Sequence, residues 1–243
     1  MTGFSDLDKL IGGLSGGQLI LVGGRPAMGK STFAMNIVNH ILRQRENCVA
    51  VFSPEMSDEH YIHRCAALRG ETERQGKLYV DATPGITPEE IRKKLFALQE
   101  KMDITLVVID YLQLINCAEK KSSRSEEVRC ISDGLKEIAM ETNLPVIVLS
   151  QLSRTCEMID HPDHRPLISD FVESGHLAQI SDVILLLYRE AYWRDNWKYN
   201  QMDDGNVGYD AEVIVAKHSS VTGLPTVVHL TFNPVEGFRS LKR

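Results

Sequence analysis

The sequence predicts an α/β fold: a mostly parallel central sheet flanked by helices, with a C-terminal antiparallel hairpin. Three observations predict it. Short apolar runs alternate with longer segments of helical periodicity through residues 18–149, the rhythm of parallel strands joined by crossover helices. Those short runs are apolar almost throughout, as strands covered on both faces have to be. Beyond residue 210 two strand-like runs flank Thr222, Gly223 and Pro225, a turn composition that reads as an antiparallel hairpin.

Residues 18–23 (QLILVG) read as the first buried strand, and residues 30–44 as a helix whose Phe33, Ala34, Ile37, Val38, Ile41 and Leu42 share one broad apolar face. A second strand occupies residues 48–52. Ser57 is placed to cap a short helix carrying Tyr61, Ile62 and Cys65, and the hydrophilic stretch 69–77 leads to a strand at 78–81. The next helix has the clearest start signal: Thr87 with Glu90 makes a capping box, Pro88 suits the first turn, and Ile91, Leu95, Leu98 and Met102 keep helical spacing. A strand at 106–109 follows. A helix over about 126–142 turns Val128, Ile131, Leu135 and Ile138 inward, and residues 146–149 return to strand. Residues 155–175 are polar and contain Pro162 and Pro166, which predicts a long loop ahead of a buried strand at 183–188. Residues 211–216 and 226–232 form the hairpin expected to close the sheet edge. No repeat, low-complexity tract or composition break divides the chain, so residues 1–243 read as a single domain.

Composition excludes several classes. With 243 residues, 43% of them apolar and 25% charged, the chain can bury a core, and disorder is excluded as the main theme. No stretch approaches the roughly 20 apolar residues of a membrane-spanning helix, and no secretory signal opens the chain, so no membrane partner and a cytoplasmic location are expected. Five cysteines without CxxC spacing argue against a disulfide frame or a zinc site and for free thiols. Cys156, His161, Asp163 and His164 do not make a metal site, given the prolines between them and the lack of a companion set. A net charge of −6 denies the chain an overall basic footprint, although a local groove can still carry one.

Gly24, Arg25, Pro26, Ala27, Met28, Gly29, Lys30 and Ser31 spell GxxxxGK[ST] between a buried strand and an amphipathic helix, with Thr32 next on that helix. Glycines let the backbone curl so that several N–H groups point at one anion, and the helix N-terminus adds its positive dipole end. Lys30 is expected to bridge terminal phosphates and Ser31 to hold Mg through its hydroxyl. Asp110 ends the apolar run 106–109 and is the candidate acidic partner of the metal, against the alternative of a turn cap. Glu55, just after the second strand, is the candidate base for water, against that of a solvated loop acid. Gln151, just past the strand 146–149, is expected to meet the γ-phosphate or the attacking water, against that of an ordinary polar strand end.

These four elements in this order resemble the RecA-like P-loop ATPase core. The wording around them resembles more narrowly the C-terminal motor domain of DnaB-type replicative helicases: residues 2–8 (TGFSDLD), 24–31 (GRPAMGKS), 52–56 (FSPEM), 109–114 (IDYLQL), 149–154 (LSQLSR) and 173–175 (ESG). The resemblance covers nearly the whole chain. It implies hexameric rings that bind ATP and Mg between subunits, translocate on single-stranded DNA, unwind duplex and meet a helicase loader or primase. It also implies roles: Lys30 and Ser31 on phosphate and Mg, Asp110 supporting the metal, Glu55 activating water, Gln151 sensing the γ-phosphate, and Lys217 reaching a neighbour's nucleotide. Two departures stand out. Ser219 occupies the position of the family's arginine finger, and Val172 precedes Glu173-Ser174-Gly175 where the family's DNA-contact loop carries arginine. Residues 69–77 are short for the family. The chain also starts at the motor domain, which reads as either a cut piece or a divergent stand-alone relative.

Two segments are candidates for touching DNA. Residues 116–127 follow a central strand where the RecA-like fold puts a pore loop; Lys120, Lys121 and Arg124 face phosphate in that reading, with Glu119, Glu126 and Glu127 balancing them. Residues 188–199 interleave Tyr188, Tyr192, Trp193, Trp197 and Tyr199 with Arg189, Arg194 and Lys198, a composition that can stack on bases or pack against the fold itself. Two functions of different class therefore compete: a helicase motor ATPase, and a nucleotide-binding regulator or assembly partner of a helicase ring, which Ser219 and Val172 favour. A recombinase-like or clock-type relative of the same fold fits residues 110–114 and 151–154 less well.

Overall fold

The computed structural model describes residues 1–69, 75–119, 121–153, 164–171, 175–190, 209–219, 221, 223 and 225–241. Among them, fifteen helices and strands follow in order: α1 (Ser5–Ile11), β1 (Leu19–Gly24), α2 (Lys30–Ile41), β2 (Cys48–Phe52), α3 (Asp58–Arg69), β3 (Lys77–Asp81), α4 (Pro88–Gln99), β4 (Ile104–Ile109), α5 (Arg124–Thr142), β5 (Val146–Gln151), α6 (Gly175–Ile180), β6 (Val183–Tyr188), β7 (Tyr209–His218), β8 (Thr226–Asn233) and β9 (Gly237–Ser240). The strands make one nine-stranded sheet in the order β3-β2-β4-β5-β1-β6-β7-β8-β9. From β3 to β6 the pairing is parallel, and from β6 to β9 it is antiparallel.

Each face of the sheet has its own core. Alternate residues of β1 show why: Ile20 and Val22 join Phe33, Ile37 and Val38 of α2 on one face, while Leu19 and Leu21 join Leu135 and Ile138 of α5 on the other. Phe33 is fully buried, stacked on Phe4 at 5.0 Å and edge-on to Phe238 at 5.5 Å, so it ties α2 to the chain start and to β9. The capping box of α4 is formed, with the Thr87 hydroxyl accepting from the Glu90 N–H and Glu90 accepting from the Thr87 N–H. Ser57 accepts from the His60 N–H at the start of α3, where Tyr61 and Cys65 are buried and Ile62 is exposed.

The structure corrects the sequence reading at several boundaries. α2 ends at Ile41, because the chain turns there and the Leu42 carbonyl accepts from Gln75 and Gly76 instead of continuing the helix. α5 starts at Arg124, where Ser123 accepts from the Glu126 N–H as its cap. The hairpin does not close the edge: β9 adds outside β8. Residues 164–171 hold a 3-10 turn, Ile168–Asp170, and α6 begins at Gly175, so the end of the expected loop is helical; residues 154–163 and 172–174 lie outside the described residues.

Candidate functional site

Parallel pairing sends the carboxyl ends of β1, β2, β4 and β5 to one edge of the sheet. There a cavity of about 270 Å³ is lined by Pro26, Ala27, Gly29, Lys30, Ser31, Thr32, Glu55, Arg64, Asp110, Tyr111 and Gln151. Residues 25–29 connect β1 directly to α2, and their backbone is curled: Ala27 has φ +62° and Gly29 φ +95°, both left-handed. Alternation of this kind makes a concave nest of amides. At Gly29 a side chain has no room either, since a Cβ would lie 2.9 Å from the Phe238 ring. No side chain caps α2, so its first N–H groups stay directed at the cavity. The strained φ of Ala27 is offset through Arg189, whose guanidinium donates to the Ala27 carbonyl at 3.1 Å and lies 3.7 Å over the Phe232 ring.

Charge is concentrated in this cavity. Lys30 donates to the carbonyls of Gly24 at 2.9 Å and Arg25 at 3.3 Å. Burial brings its pKa down to about 8, against the pull of Asp110 and Glu55 upward. Asp110 is 1% exposed; burial pushes its pKa up to about 6, opposed by a hydrogen bond from Ser31 and reinforced by Glu55. Its Oδ2 is buried without a hydrogen-bond partner. The unmatched Asp110 oxygen and the Ser31 hydroxyl beside it are oxygen donors that suit Mg, while the Lys30 ammonium suits the oxygens of an anion. The residues present therefore fit both a polyphosphate and its metal.

Gln151 reaches the cavity from the end of β5, and its strand end is held by Gln113. From the 3-10 turn Leu112–Leu114, the Gln113 amide donates to the Ser150 hydroxyl at 3.2 Å and the Gln151 carbonyl at 3.4 Å. The Gln113 carbonyl in turn accepts from Arg124 at 3.2 Å. Sequence reasoning assigns no role to Arg64, Tyr111 or Gln113. Arg64 lies within a helix of weak amphipathicity, and the other two lie in the phrase 109–114, which carries the resemblance without giving either of them a role.

The remaining expected residues are placed as follows. Gly24 turns its carbonyl to Lys30, while the side chains of Arg25 and Met28 leave the cavity: Arg25 donates to the Leu152 carbonyl at 2.8 Å and Met28 is buried in the core. Those two can offer a nucleotide only main-chain atoms. Lys217 lies away from this cavity, pairing across from Ile184, and donates to the Ala178 carbonyl at 3.2 Å and to Gln179. Exposed Ser219 bonds through its N–H to the Asp182 carbonyl, at the amino-terminal end of β6. Lys121 pairs with Glu119 at 2.8 Å and Arg124 with Glu127 at 3.2 Å, and Gly175 starts α6. Lys120, Val172, Glu173 and Ser174 lie outside the described residues, as do Cys156, His161 and Asp163. Of the two alternatives for the aromatic-basic segment, packing against the fold holds for two members: Tyr188 is 4% exposed within β6, and Arg189 donates to the Ala27 carbonyl. Tyr192, Trp193, Arg194, Trp197, Lys198 and Tyr199 lie outside the described residues.

A family model described as the DnaB-like helicase C terminal domain matches residues 1–76 and 69–237. The replicative DNA helicase DnaC of Bacillus subtilis is 36% identical over 241 residues, covering 89% of this chain and 51% of that protein. The replicative DNA helicase DnaB of Haemophilus influenzae is 34% identical over 259 residues, covering 96% of this chain and 53% of its own length. This chain thus spans about half the length of the curated relatives it matches. Among solved structures, one ATPase domain superposes with a TM-score of 0.80 at 29% identity, covering 100% of this chain and 91% of that one. A DnaB-like replicative helicase studied for its interactions with primase gives a TM-score of 0.77 at 28% identity, covering 100% of this chain and 62% of that one. The RadB recombinase, at 22% identity and a TM-score of 0.62, shares the fold. The architecture is RecA-like, as the sequence predicts.

Proposed function

The chain belongs to the family of DnaB-like helicase C terminal domains, and on that premise we propose that it is the motor domain of a replicative DNA helicase, hydrolysing ATP to move on single-stranded DNA. The observation that carries this reading is the single cavity shared by Lys30, Ser31, Glu55, Asp110 and Gln151, five side chains drawn from four separate segments. In this reading the curled amides of residues 25–29 and the start of α2 bind the phosphates, and Lys30 exchanges its two carbonyl acceptors for phosphate oxygens. Thr32 supports the same helix start. Ser31 and Asp110 would hold Mg, which would supply neutralisation of phosphate charge.

Hydrolysis is the attack of water oxygen on the γ-phosphorus, with cleavage of the bond to the bridging oxygen and release of ADP and phosphate. Glu55 orients that water and accepts its proton; Gln151 hydrogen-bonds the γ-phosphate; Arg64 brings positive charge to the same wall. Lys217 sits at the end of the sheet remote from its own cavity, which supports a role at a neighbouring subunit's nucleotide within a ring, hexameric by analogy. Lys120, Lys121, Arg124 and Glu173-Ser174-Gly175 remain the proposed DNA contacts, a primase or loader the proposed protein partners, and the cytoplasm the proposed location.

Titration of ATP with Mg, followed by turnover assays, tests the reading. Lys30→Ala should remove detectable nucleotide binding, and undiminished affinity in that variant contradicts the assignment. Glu55→Gln should keep nucleotide while lowering kcat by roughly 10²- to 10⁴-fold. The second reading, a regulator that binds nucleotide within a helicase ring without unwinding, is favoured by Ser219 standing where the family has its arginine finger. It predicts nucleotide binding with no DNA-stimulated turnover.

A further inference from the structure

We propose that Cys117 and Cys130 are a reversible dithiol–disulfide pair that staples the chain at Cys117, ahead of α5, to that helix. Their sulfurs lie 3.0 Å apart, and both thiols are free and only partly buried. A disulfide is about 2.05 Å long, so closure requires an approach of about 1 Å, within reach of small side-chain rotations. Both ends stand on fixed supports. Cys117 follows Ile115, which is fully buried, and Asn116, whose N–H donates to the Ile86 carbonyl at 3.0 Å; Cys130 sits on α5 between the buried Val128 and Ile131. The proximity of the sulfurs is thus held by the core and not by the loop between them. Cys48 and Cys65, by contrast, are deeply buried, at 2% and 3% exposure.

The reaction uses a low-molecular-weight disulfide such as oxidised glutathione. The Cys117 thiolate attacks one glutathione sulfur, breaking that S–S bond and releasing one glutathione thiolate. The Cys130 sulfur, losing its proton, then attacks the Cys117 sulfur and expels the second glutathione. The protein loses two electrons and two protons, and oxidised glutathione becomes two molecules of glutathione. Two features fit stepwise attack. The hydrogen bond between the sulfurs and burial push the Cys130 thiol up to about 11, so the pair does not lose both protons together, and the Lys121 ammonium lies near enough to interact with both sulfurs. The linkage is independent of the nucleotide reading above.

The test is peptide mapping of the full chain. After incubation with oxidised glutathione, free thiols are alkylated and the protein is digested with trypsin without reduction. Cleavage after Lys101, Lys120, Arg129 and Lys136 separates peptides 102–120 and 130–136. The expected result is that these two peptides run joined and part on adding dithiothreitol. In Cys130→Ser, peptide 102–120 should instead carry one glutathione. Alkylated Cys117 and Cys130 after oxidation, or either one joined to Cys156 or to a second chain, overturns the proposal. A Cys130→Ser protein without glutathione on Cys117 overturns the order of attack.

Discussion

Asp110 and Lys30 line one cavity, the first buried and the second half-buried, and burial moves each of them toward its neutral form. Such a pair is poised for ligands that return what burial removed: phosphate oxygens for the ammonium, a cation for the carboxylate. Gln113 belongs at this scale too. Its amide clamps the Ser150 hydroxyl and Gln151 carbonyl without lining the cavity, so it acts as a positioning residue for Gln151. Gln113→Leu should leave nucleotide affinity nearly unchanged and lower kcat on the order of ten- to a hundred-fold, because misplacing a reacting group is felt in the rate. Equal losses in affinity and kcat would mean that the residue merely supports the fold. Lys30 and Ser31 are legible in the sequence because one short loop spells out its own geometry. Gln113 is not, because its partners lie more than 30 positions away on another strand.

At the scale of elements, β3 and α4 are joined by Asp81. Its carboxylate accepts from Lys94 at 2.6 Å, from Tyr79 at 3.0 Å and from the Thr83 N–H at 3.0 Å. Burial pushes the Asp81 carboxyl up, but these hydrogen bonds together outweigh it and hold it down to about 2. The folded protein therefore binds this proton less readily than the unfolded chain. The corresponding stability, on the order of 1 kcal/mol, is present above about pH 4 and lost as pH falls toward 2. Denaturant titrations of Asp81→Asn should show a shallower acid limb than the parent, and an identical limb would assign the acid sensitivity elsewhere. Phe33 makes the larger case: it joins α2, the N-terminal segment and β9, and Phe33→Ala should cost about 3–5 kcal/mol in unfolding free energy. Elements with long periodic faces, such as α4 and α5, are visible in the sequence. α1, α6 and β9 are not, since seven, six and four residues are too few to set a period, and their existence depends on the core they cover.

For the whole molecule, sheet order decides what each end can do. β1 lies between β5 and β6 in the middle of the sheet, so the loop after it opens at the centre of the carboxyl edge. Lys217 and Ser219 lie toward the other end of the same strands, remote from that loop. If the missing arginine limits turnover, Ser219→Arg should raise ATPase activity in a protein that light scattering shows to be oligomeric, with gains up to the 10³- to 10⁵-fold known for such fingers. No gain in a demonstrated oligomer removes that explanation. Molar mass measured with and without ATP and single-stranded DNA is expected to rise on ring assembly.

The sequence by itself determined the α/β class, the position of the phosphate-type loop and the acids that follow β2 and β4, because each is written within a few neighbouring residues whose backbone and polarity follow local rules. Tertiary structure alone decided that Arg64 lines the same cavity as Lys30, Glu55, Asp110 and Gln151, that Gln113 hydrogen-bonds the end of β5, and that Cys117 meets Cys130. Those are distances between segments remote in the chain, and only strand order and the packing of two cores against one sheet can set them.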